Sequence, residues 1–181
     1  NKEHRSILKQ LARESIEYGI KHHQPSDVDL ENIASELSII RATFVTLEKQ
    51  HQLRGCIGTL EARRALALDV AANSYAAAFS DSRFPRVEKG ELEQLDMHIS
   101  ILSPAHELII SSEPDLIAQL QVGVDGLIIE DNIHRATFLP TVWQSLPRPE
   151  EFVHHLKIKA GFNAGYWSKD IRAFRYNTES F

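Results

Sequence analysis

The chain has 181 residues, of which 43% are hydrophobic and 25% charged, and its net charge is −5 at pH 7. This composition is ordinary for a globular protein, and we expect residues 1–181 to form one domain, in which two lobes could share a core. No segment approaches the roughly 20 consecutive apolar residues of a membrane-spanning helix. The acidic balance disfavours, without excluding, a protein held to nucleic acid by phosphate contacts. The single cysteine, Cys56, favours a reducing, cytoplasmic compartment.

The first half of the chain predicts a helix, a hairpin and a second helix. Apolar residues recur at helical spacing over residues 3–21. Residues 39–47 and 53–60 have the β-branched and apolar character of strands, and five polar residues join them as a hairpin loop. Residues 62–79 are rich in alanine and predict a helix that ends before Pro85.

The second half adds more strands than helices. Four segments carry strand patterns: 96–102, 127–130, 133–139 and 171–176. A helix start is predicted at residues 112–115, and residues 149–160 form a well-delimited helix with Gly161 as its left-handed cap. Because the apparent hairpins favour antiparallel pairing, we expect an α+β fold with helices packed on a mostly antiparallel sheet.

The segment LRGCIGTL, residues 53–60, places the only cysteine between two glycines. Side chains alternate along a strand, so Arg54, Cys56 and Gly58 are predicted to share one face. An arginine that close favours the thiolate, so Arg54→Met is expected to weaken thiol reactivity. We expect Gly58 to leave space beside the sulfur, so that Gly58→Ala folds nearly normally. Gly55 faces the other way, where the alanine-rich helix would lie close and Gly55→Ala would destabilise the fold. The alternative is that Cys56 is a small buried hydrophobe in a tightly packed sheet.

Two further pairs of residues have both a structural and a functional interpretation. Asp81 and Arg83 either form an ion pair that holds a loop, or Asp81 orients Arg83 to bind an anionic ligand group. His98 and His134 lie in predicted strands, where a histidine is most often structural, but each is a candidate base for Cys56. The chain has no second cysteine and no H-E-x-x-H motif, so we predict no metal and no cofactor.

A series of ordered motifs resembles those of the AMMECR family. They are LRGCIGTL at residues 53–60, DSRFP at 81–85, HISILSP at 98–104, GVDGLII at 123–129, LPTV at 139–142, and KAGF at 159–162 with Trp167. Thr141 stands where the family usually has glutamine. The resemblance implies an α+β domain of two unequal lobes with the LRGCIG strand lining a cleft between them, and it implies no particular reaction. It also implies association with Memo-like and radical S-adenosylmethionine proteins in a system that modifies protein or RNA.

The sequence leaves three functions open. The first is an accessory domain that binds a small molecule or peptide in a cleft lined by Arg54, Gly55, Cys56, Gly58, Asp81 and Arg83. The second is an enzyme in which Cys56 is a nucleophile or transfer acceptor, assisted by Arg54 and by His98 or His134. The third is an RNA-binding or scaffold module with a small patch formed by Arg172, Phe174, Arg175 and Tyr176.

Overall fold

The computed structural model describes residues 1–163 and 165–181. In these residues the α-helices are α1 (Lys2–His22), α2 (Leu66–Phe79), α3 (Glu113–Gln119) and α4 (Pro149–Ala160). The strands are β1 (Thr43–Lys49), β2 (Gln52–Gly58), β3 (Leu95–Leu102), β4 (His106–Leu108), β5 (Gly126–Glu130), β6 (Arg135–Phe138), β7 (Arg172–Tyr176) and β8 (Thr178–Ser180). They form two antiparallel sheets with the strand orders β2-β1-β3-β8 and β4-β7-β5-β6. The predicted α+β fold with mostly antiparallel pairing is confirmed.

The chain divides into two compact units. The first comprises Asn1–Leu102 with Glu179–Phe181, and the second comprises Ser103–Thr178. In the first unit, α1 and α2 contribute to a core with the residues on one face of the sheet, such as Val45 and Ile99. Residues of β1 on the opposite face, such as Thr46, are only half-buried. The first unit therefore has one sheet face in its core and one that is partly open.

The second unit has its own hydrophobic core, in which α4 packs against β5 and β6. Phe152 and Leu156 of α4 are fully buried, and the Phe152 ring stacks on Trp143 with a centroid separation of 3.7 Å. The predicted bounds of α4 are confirmed, and Gly161 caps it at a φ of 93°. Among the described residues, none of the helices is long and apolar enough to cross a membrane.

Several predicted boundaries differ from the structure for local reasons. The loop between β1 and β2 has only two residues, Gln50 and His51, at positive φ values of 54° and 62°. A two-residue turn of this kind matches the twist of the paired strands. The polar residues on either side of it, which were predicted as loop, are therefore part of β1 and β2. The helix α2 begins at Leu66, four residues later than predicted. His134 precedes β6, in a turn that Asp131 holds, so its predicted strand position is wrong.

Candidate functional site

The strand β2 lies at an edge of its sheet and contains a β-bulge at Arg54. Leu47 of β1 is opposite Gly55, and Glu48 is opposite Leu53, which leaves Arg54 without a partner on β1. A bulge redirects the side chain of its extra residue and twists the strand locally. The bulge therefore interrupts the alternation on which a shared face for Arg54 and Cys56 was predicted.

The Arg54 side chain is only 11% exposed and is held by the segment that follows α2. Its Nε and Nη2 donate to the two carboxylate oxygens of Glu91 at 3.1 and 2.9 Å. Its Nη1 donates to the Pro85 carbonyl at 2.8 Å, and Nη2 reaches the Arg86 carbonyl at 3.3 Å. Lys49 also donates to Glu91, at 2.9 Å. Arg54 thus connects residues 85–91 to β2. Its role is to hold this segment in place against the strand.

The Glu91 carboxylate gives this attachment a pH dependence. Hydrogen bonds, first those from Arg54, lower the pKa of Glu91 from its ordinary value of 4.5 to about 2. Because the folded-state pKa lies below the unfolded value, the stabilisation is present above about pH 4.5 and is lost as the pH falls towards about 2. We expect Glu91→Gln to be less stable than the wild type at pH 7 and to lose less stability over that window. Urea unfolding midpoints at a series of pH values would test this, and equal acid slopes in the two proteins would contradict it.

Asp81 and Arg83 fasten the free edge of β2 at Cys56. Arg83 donates to both carboxylate oxygens of Asp81, from Nε at 2.9 Å and from Nη2 at 2.7 Å, so the predicted ion pair is confirmed. The backbone N–H of Cys56 donates to Asp81 Oδ2 at 2.9 Å, and Arg83 Nη2 lies 3.4 Å from the Cys56 carbonyl oxygen. The hydrogen bonds from Arg83 hold the pKa of the buried Asp81 carboxyl well below its ordinary range. The Asp81–Arg83 pair therefore bonds to the free edge of β2 where a neighbouring strand would otherwise pair. The arginine that contacts Cys56 is Arg83, and not Arg54 as the sequence predicted.

A row of three side chains crosses the partly open face of the first sheet. Thr46 of β1 is opposite Cys56 of β2 on one side and opposite His98 of β3 on the other. Cys56 Sγ and Thr46 Oγ1 share a hydrogen bond of 3.3 Å, and the Cys56 residue is half-buried. His98 is 52% exposed, and its Nε2 lies 3.7 Å from a carboxylate oxygen of Glu48. Since adjacent strands are about 4.8 Å apart, Thr46 separates Cys56 from His98.

The two glycines of the segment differ from each other in their surroundings. A Cβ at Gly55 would lie 2.2 Å from the carbonyl oxygen of Ala77, which confirms the predicted close approach of α2. A Cβ at Gly58 would lie 2.3 Å from the Phe44 ring and 2.4 Å from the Thr43 carbonyl oxygen. The ring occupies the space that was expected beside the thiol. The structure therefore contradicts the expectation that Gly58→Ala would fold nearly normally.

His134 belongs to the second unit and stabilises a hairpin turn. Its Nδ1 lies 3.2 Å from both carboxylate oxygens of Asp131, which also accepts the backbone N–H groups of Ile133 and His134. The ring packs against Phe162 with a centroid separation of 4.8 Å. These contacts account for His134 as a structural residue of the hairpin.

Three of the residues predicted to form a nucleic-acid patch are instead buried or close to carboxylate groups within the second unit. Tyr176 is 1% exposed and cannot stack on a base, and burial raises its pKa to about 12. Arg172 forms two hydrogen bonds to the carboxylate of Glu107, and Arg175 lies 3.9 Å from Asp125. In residues 1–163 and 165–181, no group of three or more His, Cys, Asp or Glu side chains is arranged to hold a metal ion.

Residues 9–181 match the family model of AMMECR1. The chain belongs to the AMMECR1 family. It is 36% identical over 147 residues to a protein of Methanothermobacter thermautotrophicus, covering 78% of this chain and 74% of that one. It is 34% identical over 185 residues to a protein of Saccharolobus islandicus, covering 98% and 80%.

A crystal structure is also similar to this chain. It is that of the uncharacterized protein PH0010 from Pyrococcus horikoshii, with a TM-score of 0.87 and 29% sequence identity over 96% of this chain and 88% of that one. The range matched by the family model, residues 9–181, includes β2, the Asp81–Arg83 pair, the whole second unit and the first unit from residue 9 onwards.

Thr46 is the one member of the row across the sheet that sequence reasoning missed. Residues 44–47 of β1 read FVTL, and alternation along the strand puts Thr46 on the face opposite the core. That pattern cannot say which residue of another strand lies beside Thr46. The pairing of β1 with both β2 and β3 supplies that information.

Proposed function

We propose that this AMMECR1-family domain is a binding accessory domain whose ligand, a small molecule or peptide, lies over Cys56. The observation that supports it is the fastening of β2 by Asp81 and Arg83 beside a half-buried thiol. A binding site needs contact groups held rigidly by a second set of residues, and this arrangement meets that need. The cleft implied by the family resemblance stays a prediction.

Each residue around Cys56 has a distinct role in this proposal. The Cys56 thiol and the Thr46 hydroxyl contact the ligand, and exposed His98 donates or accepts a further hydrogen bond. Arg83 is 56% exposed and uses Nε and Nη2 for Asp81, so we assign its Nη1 to a hydrogen bond with the ligand. Arg54 holds the frame through Glu91. The single cysteine favours a cytoplasmic location for the domain. By family resemblance, it acts with Memo-like and radical S-adenosylmethionine proteins in modifying protein or RNA.

The single cysteine provides a specific readout for this proposal. Iodoacetamide alkylation followed by intact mass spectrometry reports Cys56 alone, because no other thiol exists in the chain. We expect the small-molecule fraction of a native cell extract, or a purified Memo-like protein, to slow alkylation by about tenfold, since an occupied site excludes the reagent. His98→Ala is expected to abolish the protection, whereas His155→Ala, an exposed histidine of the second unit, should keep it. Alkylation at the same rate under every condition would contradict the proposal.

A second candidate, catalysis through Cys56, is favoured by the hydrogen bond between its sulfur and Thr46. A hydroxyl 3.3 Å from Sγ can stabilise a thiolate. His98, one of the two predicted bases, lies in the same row on the far side of Thr46. In this case the Cys56 thiol would lose its proton to solvent, and the thiolate would attack an electrophilic atom of the substrate. The bond from sulfur to the transferred group would form as the bond to the leaving group breaks, and the leaving group would depart with that electron pair. Mass spectrometry distinguishes the two candidates, because binding gives reversible protection with no mass gain. Catalysis gives an adduct on Cys56 that Cys56→Ser cannot form.

A further inference from the structure

The second unit contains a groove that has no part in the proposed Cys56 site. Its volume is about 650 Å³, within the range of ligand pockets, roughly 300 to 1,000 Å³. We propose that this groove binds an uncharged, extended segment of a partner peptide. Two of the sequence motifs, GVDGLII and LPTV, meet here, because the groove is lined by residues 122–124 on one side and by Pro140 and Thr141 on another.

Hydrogen bonds and a ring stack hold in place the two turns that form the walls of the groove. Trp143 Nε1 donates to the Asp125 carbonyl at 2.7 Å, and Asp125 Oδ2 accepts the backbone N–H of Gln121 at 2.8 Å. The buried Trp143 ring stacks on Phe152 of α4. These contacts fix the 121–125 turn against the Pro140–Gln144 turn, so the groove is formed before any ligand arrives.

The lining of the groove excludes a charged ligand. Every side chain that lines it is uncharged, although a quarter of all residues in the chain carry charge. A carboxylate, phosphate or ammonium group bound here would lose part of its hydration and gain no ion pair from the lining side chains. The ligand is therefore neutral along the part that enters.

The shape and the polar groups favour a peptide over a compact small molecule. The groove is open along one side, whereas a small molecule normally needs most of its surface enclosed. The amides of Gln144 and Asn177 each present a donor and an acceptor, which matches the pairing of a peptide group. Val122 and Val124 are half-exposed at the groove and offer contact to apolar side chains.

Three probes test this inference on the ¹⁵N-labelled full chain by NMR titration. They are the blocked tetrapeptide acetyl-Ala-Leu-Ala-Leu-amide, its acetyl-Ala-Glu-Ala-Glu-amide counterpart, and N-acetyl-leucinamide. We expect saturable shifts of the Gly123 amide and the Trp143 indole signals with the first probe. Binding of the acidic peptide should be weaker by about tenfold or more, because its charges stay unpaired. N-acetyl-leucinamide should also be weaker by about tenfold, because it lacks the extended contacts.

A pair of variants ties the binding to the groove. Thr141→Gln places a longer side chain on an exposed groove wall and should weaken the neutral tetrapeptide by about tenfold through lost space. Ser145→Gln, an exposed position just beyond the lining residues, should bind as the wild type does.

Absence of saturable shifts, or equal affinity for the acidic peptide, would overturn the proposal. Equal affinity for N-acetyl-leucinamide would make the groove a small-molecule site. Binding is expected to be unchanged in Cys56→Ser, so this outcome is independent of the Cys56 site.

Discussion

Gly55→Ala is expected to lower the free energy of unfolding by about 3 kcal/mol, the largest effect of a single methyl group that we predict for this chain. The added Cβ would lie 2.2 Å from the carbonyl oxygen of Ala77 and 3.1 Å from its carbonyl carbon. The obstacle is the backbone of α2, which cannot rotate aside as a side chain can. The strand cannot retreat either, because Asp81 and Glu91 hold it at the neighbouring residues Cys56 and Arg54.

Urea unfolding of the wild type and two variants would measure this effect. Gly90→Ala is the matched control, since no atom lies within 4 Å of its added Cβ and its φ is not in the left-handed range. We expect Gly90→Ala to unfold within about 0.5 kcal/mol of the wild type, as surface substitutions usually do. If Gly55→Ala were as stable as Gly90→Ala, β2 and α2 would not be in the close contact described here.

Arg54→Met is expected to destabilise the protein by about 3 kcal/mol, because it removes one partner of a mostly buried ion pair. The substitution leaves Glu91 with Lys49 as its remaining cationic partner and leaves the Pro85 and Arg86 carbonyl oxygens without the Arg54 donors. Met fills a similar volume, so the lost energy comes from unpaired polar groups and not from a cavity.

The rate of Cys56 alkylation separates this structural role from thiol activation. From the sequence, Arg54→Met is expected to weaken thiol reactivity. The structure leads us to expect a rate at fixed pH within about twofold of the wild type under conditions where both are folded. The reason is that the Arg54 guanidinium bonds to the Glu91 carboxylate and to the Pro85 and Arg86 carbonyl oxygens, and not to the sulfur. Arg63→Met is the control for loss of an arginine, since its side chain is 76% exposed and exposed ion pairs contribute little. A large fall in alkylation without loss of stability would show that Arg54 acts on the thiol after all.

The sequence by itself determined the features that depend on chemistry within a few residues. The helix α4 has its acidic first turn, its basic last turn and its glycine cap in the sequence, so its bounds follow from the amino acids. The close approach at Gly55 was predictable because a glycine inside a strand is costly unless something presses on the backbone. The ion pair of Asp81 and Arg83 was predictable from their spacing at a helix end.

Only the tertiary structure decided which of these residues act together. The row of Cys56, Thr46 and His98 exists because β1 lies between β2 and β3, and alternation within one strand contains no information about its neighbours. The bulge at Arg54 depends on the register between β1 and β2, which long-range packing sets. The groove in the second unit likewise needs two turns, around residues 123 and 141, that are adjacent in space but separate in the chain. Such contacts form when distant segments bury their apolar faces together, and no local pattern specifies that choice.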